Sequence, residues 1–258
     1  MKSMTPQMIT VGSGDDARDI ALLHQPGSTP GIVWMQGFMS DMVSTKAAAL
    51  ADWAETSGAE LTRFDYSGHG QSGGAFRDGT ISRWLEESVA VFDRNTQGPQ
   101  IVVGSSMGGY LAMLLERRIA DPRRVAGLVL IAPAWDMTEA LMWAEFPEDV
   151  RAQLMSDGVW MRPSQYGEPY PITRGLIEDG RGHLLGDAPW RPNCPVRIIH
   201  GRLDPDVPFA HGAALIDKAV DQDVRLIEVP DGEHRLSRPE DIALLIATIE
   251  ALRADVAG

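Results

Sequence analysis

The sequence predicts an α/β fold with a mostly parallel central sheet, helices on both faces and a small helical cap inserted late in the chain. Short β-rich runs alternate with helical patterns along most of the chain, the signature of a parallel sheet built from β-α units. The alternation stops over residues 137–192, where Met, Trp, Tyr and Pro accumulate and no convincing strand appears, and resumes to the C-terminus. An insertion of bulky apolar residues in an otherwise regular α/β chain suits a cap over a pocket. The composition of 258 residues, 44% hydrophobic and 23% charged, is near the globular average and excludes disorder. One domain, 1–258, with its cap at about 137–192, is the economical organisation, because a chain this long buries a sizeable core by itself.

The elements follow in order. Gln7–Val11 and residues 19–24 form an antiparallel hairpin at a sheet edge, and 31–36 is a buried strand. Thr45–Ser57 is Ala-rich and helical, with Ser44 as N-cap. Residues 60–66 form the next strand, followed by a Gly-dense loop over 67–74. In the helix over 80–95, Ile81, Trp84, Leu85, Ser88, Val89 and Phe92 share one face. Strand 100–104, helix 107–120 and strand 125–132 complete the first half. Beyond the cap come strand 196–200, helix 209–220, strand Val224–Val229 and a closing helix over 239–252.

Charge and cysteine content exclude several function classes. The formal charge of −13 argues against nucleic acid and anionic membranes as partners, since both need a Lys/Arg-rich face. The longest apolar run, 125–135, is too short to span a bilayer. Cys194, alone in the sequence, forms neither an internal disulfide nor a thiolate metal site, and reads as a small buried residue. The chain opens Met-Lys-Ser-Met-Thr-Pro, without the marks of a signal or transit peptide, so a cytoplasmic location is expected. Neither a metal nor a cofactor is expected.

Gly104-Ser105-Ser106-Met107-Gly108 fits Gly-x-Ser-x-Gly between a strand and a helix. That context places the serine on a strained turn, with flanking glycines where chains pass closely and a helix N-terminus behind it to face a developing oxyanion. A serine nucleophile needs a base, and the base an orienting acid, in the chain order Ser, acid, His. Asp204, after strand 196–200, and His234, after Val224–Val229, supply both at strand ends, where open α/β sheets place their ligands. Asp206, Asp136 and Asp65 are rival acids: Asp206 reads as part of a turn, Asp136 as a displaced acid and Asp65 as a loop-fixing carboxylate. Among histidines, His69 reads as a Gly-loop hydrogen bonder and His200 as structural. His24, His183 and His211 lack the strand-end loop after the acid, although His183 could face substrate. The oxyanion donors expected are the backbone N–H groups of Met107 and Phe38, the latter following Gly37. In the cap, Trp143, Trp160 and Met142, with Met155 and Met161, are candidates to line an acyl site.

These residues resemble the α/β-hydrolase superfamily over essentially the whole chain. Gly37-Phe38-Met39-Ser40-Asp41-Met42, Phe64-Asp65-Tyr66-Ser67-Gly68-His69-Gly70, Gly98-Pro99-Gln100 and Gly104–Gly109 resemble the subfamily of palmitoyl-protein thioesterases and acyl-glucuronide esterases with its bacterial relatives. Gly158-Val159-Trp160, Pro163-Ser164, Tyr166 and Cys194-Pro195 are similar to it too. The resemblance implies Ser106, Asp204 and His234 as a triad and hydrolysis of esters or thioesters without a cofactor, on small molecules or an acylated protein. Gln36 departs from the pattern, standing where many α/β-hydrolases have His before the oxyanion glycine. The competing classes are a catalytically silent binding scaffold, which would lack a triad member, and a serine peptidase, which would cleave amides. Oxoester or thioester preference, acyl length and oligomeric state leave no mark in the sequence.

Overall fold

The computed structural model describes residues 5–163, 168–219 and 222–256. Ser164, Tyr166 and the expected helix end at Val220 lie outside the described residues. The central sheet holds eight strands: β1 (Gln7–Val11), β2 (Arg18–Gln25), β3 (Ser28–Met35), β4 (Ala59–Phe64), β5 (Gln100–Ser105), β6 (Val125–Ile131), and, numbered after the cap strands β7 and β8 described below, β9 (Val196–Gly201) and β10 (Val224–Val229). Their order is β1-β2-β4-β3-β5-β6-β9-β10. β2 pairs antiparallel with β1 and β4, and all other neighbours are parallel.

Parallel strands buried on both faces should be apolar throughout, with successive residues feeding opposite layers. This is observed. Val33, Met35, Val102, Leu128, Leu130 and Ile198 enter one core with residues of helices α2 (Ile81–Asn95) and α3 (Met107–Arg118). Ile32, Trp34, Ile101, Val103, Val129, Ile131 and Ile199 enter the other, against α1 (Thr45–Ser57) and α7, the C-terminal helix Pro239–Val256. Thr80 caps α2, its hydroxyl accepting from Arg83 N–H at 3.2 Å. Ser44 occupies the N-cap position of α1, but its side chain makes no capping bond.

The cap departs from the expectation of a purely helical insertion. A π-helical turn (Thr138–Trp143) and α4 (Glu148–Asp157) lead into an antiparallel pair, β7 (Val159–Arg162) and β8 (Tyr170–Thr173), before α5 (Arg174–Gly180). Two four-residue strands with a proline in one of them give a weak β signal, since Pro usually marks a non-strand; a pair with two open edges tolerates it. Met142, Phe146, Leu154, Ile172, Leu176 and Ile177 join the cap to the α2/α3 core. Asp136 ties its exit, with one carboxylate oxygen accepting from Leu185 N–H at 2.7 Å and the other from Gly186 N–H at 2.9 Å. Tyr110 adds a hydrogen bond from its hydroxyl to the His183 carbonyl at 2.8 Å.

Candidate active site

Ser106 sits between β5 and α3 at φ 55° and ψ −117°, a backbone conformation that side chains other than glycine rarely adopt. The turn is held from several sides. Ser106 N–H donates to Ile131 O at 2.8 Å, and Ser106 O accepts from Gly109 and Ala134 N–H at 3.0 and 3.1 Å. Glycine is required where α3 crosses the strand ends: a Cβ on Gly108 would lie 2.1 Å from Met35 O, and one on Gly104 2.3 Å from Gly108 O.

The structure brings together Ser106, His234 and Asp204 on three separate strand ends. His234 Nε2 is 3.1 Å from Ser106 Oγ, and Nδ1 is 2.8 Å from Asp204 Oδ2. A proton on Nδ1 satisfies both contacts, leaving Nε2 to accept from the serine hydroxyl. Asp204 Oδ1 accepts from the N–H groups of Asp206 and Val207 at 2.9 and 2.8 Å. Burial alone would raise the Asp204 pKa; hydrogen bonds from His200, His234 and Val207 outweigh it and hold the carboxyl below its ordinary range. His200, fully buried, donates from Nε2 to Val207 O at 2.9 Å, and the same nitrogen is 3.4 Å from Asp204 Oδ2. Asp206 thus contributes a backbone donor to Asp204, and its own carboxylate is exposed.

Gly37 brings the next backbone segment against the serine, since a Cβ there would lie 3.4 Å from Ser106 Cβ. Among the described residues, the N–H groups of Phe38 and Met107 donate to no protein acceptor, leaving two donors beside Ser106. Met39, at φ 58°, donates its N–H to His69 Nε2 at 3.2 Å, and His69 Nδ1 bonds Ser67 O at 3.2 Å. Burial lowers the His69 pKa to about 4, so the ring is neutral near pH 7 and able to accept. The expected contact within the Gly loop is therefore accompanied by a second, across to the Phe38 segment. Asp65 fixes the same two loops, accepting from Met42 N–H at 2.7 Å and Gln71 N–H at 2.8 Å, with Gln36 Nε2 at 3.3 Å.

The remaining candidates have other partners. His24 bonds Thr62 Oγ1 at 3.0 Å, and His183 bonds Ser82 Oγ at 2.7 Å. His211 stacks on Trp135 with ring centroids 4.5 Å apart. Asp136 serves the cap rather than a histidine. Cys194 is buried, which pushes its thiol pKa up to about 12 and keeps it unreactive. Asp204, Asp206 and His234 have ligand atoms within 4.8 Å of one another. A cation there would compete with the hydrogen bonds already made by both Asp204 oxygens and His234 Nδ1.

The cap residues divide. The Trp143 ring lies beneath two guanidinium groups, those of Arg151 and Arg181 at 5.5 and 5.1 Å, and Met142 is buried in the core. Met155 and Met161 are exposed, whereas Trp160 packs edge-on against Phe146 at 5.1 Å. Sequence reading passed over Tyr170, whose ring packs edge-on against Phe38 at 5.8 Å, beside Phe76 at 4.9 Å and Trp84 at 5.9 Å from the same ring. No period-2 signal marked it, since Val159-Trp160-Met161 is apolar at every position and Pro171 interrupts Tyr170–Thr173.

Residues 32–173 match the family described as serine aminopeptidase, S33. The chain is 35% identical over 242 residues to the mitochondrial palmitoyl-protein thioesterase ABHD10 of Bos taurus, covering 93% of this chain and 78% of that protein. A solved structure from Agrobacterium vitis S4 superposes with a TM-score of 0.92 at 45% identity, covering 96% of this chain and 98% of the other. Alpha/beta hydrolase domain-containing protein 10 from mouse superposes with a TM-score of 0.86 at 32% identity, again covering 96% and 98%. The chain belongs to the S33 family of α/β-hydrolases, in which it resembles the ABHD10 thioesterases.

Proposed function

We propose that the protein is a serine carboxylesterase or thioesterase acting through an acyl-enzyme at Ser106. The observation that carries this reading is the unbroken path from Ser106 Oγ to His234 Nε2 and from His234 Nδ1 to Asp204. His234 takes the Ser106 proton as Oγ attacks the acyl carbonyl, and Asp204 holds the imidazole tautomer and stabilises the imidazolium that forms. The Phe38 and Met107 N–H groups face the tetrahedral oxyanion, where one such donor contributes about 3 kcal/mol. The protonated His234 hands its proton to the departing alkoxide or thiolate. Water, activated by His234, then releases the acid and regenerates the serine. No step calls for a cofactor.

Oxoesters and thioesters pass through the same tetrahedral geometry, so both belong to the proposed substrate class. The name of the bovine relative supports long-chain acyl thioesters, including acylated protein, as one branch of it. Acyl-glucuronide hydrolysis is the other branch, and uses the same chemistry.

The test is hydrolysis of a chain-length series of p-nitrophenyl esters, matching acyl thioesters and an aminoacyl p-nitroanilide. Wild type turns over esters or thioesters, and Ser106→Ala lowers turnover at least ~10³-fold with the fold intact. Near-native activity in the mutant would overturn the site. Silence of the folded wild type on every member favours a binding scaffold, and cleavage of the anilide favours a peptidase.

A further inference from the structure

The cap carries a second feature aimed at the site. β7 and β8 pair with Trp160 opposite Ile172 and Arg162 opposite Tyr170. Directly opposed residues of an antiparallel pair project from the same face, as do residues two apart along a strand. One face therefore presents Trp160, Arg162, Tyr170 and Ile172. Ile172 is fully buried in the main core, so this face is turned toward the body of the protein. Met161, on the opposite face, is 50% exposed. Tyr170 packs on Phe38, the residue whose N–H stands beside Ser106.

Among the described residues, neither the Arg162 guanidinium nor the Tyr170 hydroxyl has a hydrogen-bond or ion-pair partner. Other half-buried arginines are engaged: Arg124 bonds Thr96 O at 3.0 Å, Arg151 bonds Trp143 O at 2.8 Å and Arg253 bonds Pro30 O at 2.9 Å. The Arg162 nitrogens and the Tyr170 hydroxyl are not among the buried polar atoms, so they reach solvent, and a guanidinium with five donors and no protein acceptor is open to an incoming anion. The acidity of the Tyr170 hydroxyl, reduced chiefly by burial, is also influenced by the positive charge of Arg162 and the negative charge of Asp206. Asp206 is exposed and forms no ion pair with Arg162. On a chain of net charge −13, this cation marks one place where an anion would be received rather than repelled.

Resting on the hydrolase reading above, we infer that Arg162 and Tyr170 form an anion-binding pair at the mouth of the site, selecting esters or thioesters that carry a carboxylate or phosphate away from the bond that is cleaved. Both residues act on substrate binding and take no part in proton transfer.

Two matched substrate pairs test this and separate the sources of the anion. Mono-p-nitrophenyl adipate against p-nitrophenyl hexanoate adds a carboxylate at the far end of the same acyl length. Hexanoyl-coenzyme A against S-hexanoyl-N-acetylcysteamine adds phosphates on the leaving thiol. Wild type should favour the anionic member of at least one pair by about tenfold in kcat/KM, through KM, the size expected of one charge-assisted contact. Arg162→Gln should bring that ratio close to one, Arg162→Lys should restore part of it, and Tyr170→Phe should reduce it. The ratio is internal to each protein, so a variant that merely loses folded material lowers both members alike and keeps the ratio. No preference in the wild type, or a preference that survives Arg162→Gln, overturns the inference while leaving the hydrolase reading in place. Failure to hydrolyse any of the four overturns both.

Discussion

At the residue scale, the site depends on side chains that hold others in position. Asp204 anchors His234 with one oxygen and collects two backbone donors with the other, so its geometry is fixed before substrate arrives. Asp204→Asn should lower kcat by a smaller factor than Ser106→Ala, because serine and oxyanion donors persist while the imidazole loses its preferred tautomer. Asp136→Asn, which touches the cap backbone, should leave kcat closer to wild type; the reverse order in steady-state kinetics would reassign the acid. His69 makes a different prediction. Its folded pKa is lowered to about 4 from an ordinary 6.5, so the unfolded chain takes up the proton first. Its contribution to stability is therefore full above pH 6.5, falls as pH drops from 6.5 toward 4, and is constant below. The span corresponds to about 3 kcal/mol. Urea unfolding of wild type and His69→Phe across that range should show the decline in wild type and a shallower one in the variant, whose ring still fills the space against Phe76 and Trp84.

At the element scale, the loops around the serine are tied to the sheet edge through charge. Arg18 on β2 meets Glu87 on α2 at 2.5 Å, with side chains 4% and 0% exposed, and Glu87 also accepts from Ser67 N–H at 2.8 Å. Arg18 also pairs with Glu86 and Asp16, so Glu87→Ala leaves chiefly the Ser67 N–H without its acceptor and should cost about 1–3 kcal/mol in equilibrium unfolding. The alternation of strands and helices, the Ser106 turn and the strand-end placement of Asp204 and His234 were all legible, because period-2 burial and glycine spacing are local properties. The β7–β8 pair was not, because four-residue strands containing Pro171 carry little local preference and exist through their packing on the core. The cation–ring contacts of Trp143 with Arg151 and Arg181 were likewise not legible, because they join residues of separate elements.

At the scale of the whole molecule, the acidic excess sets behaviour in solution. With 36 acidic and 23 basic side chains and a pI near 4.8, mutual repulsion keeps molecules apart at neutral pH and fades on acidification. Solubility should pass through a minimum close to pH 4.8, and turbidity measured against pH checks it. That pH lies within the window in which His69 ceases to favour the folded state, so loss of repulsion and loss of stability coincide there.

The sequence by itself determined the α/β alternation and the strand-to-helix turn that carries Ser106, because each follows from short-range periodicity or from glycine and serine at that turn. Only the tertiary structure decided that Ser106 and His234, 128 residues apart, meet at 3.1 Å, and that Asp204 rather than Asp206 or Asp136 completes the contact. It alone placed His69 against Met39 and Arg162 opposite Tyr170. Those juxtapositions come from parallel strands ending side by side and from a hairpin laid on the core, long-range pairings that no window of sequence contains.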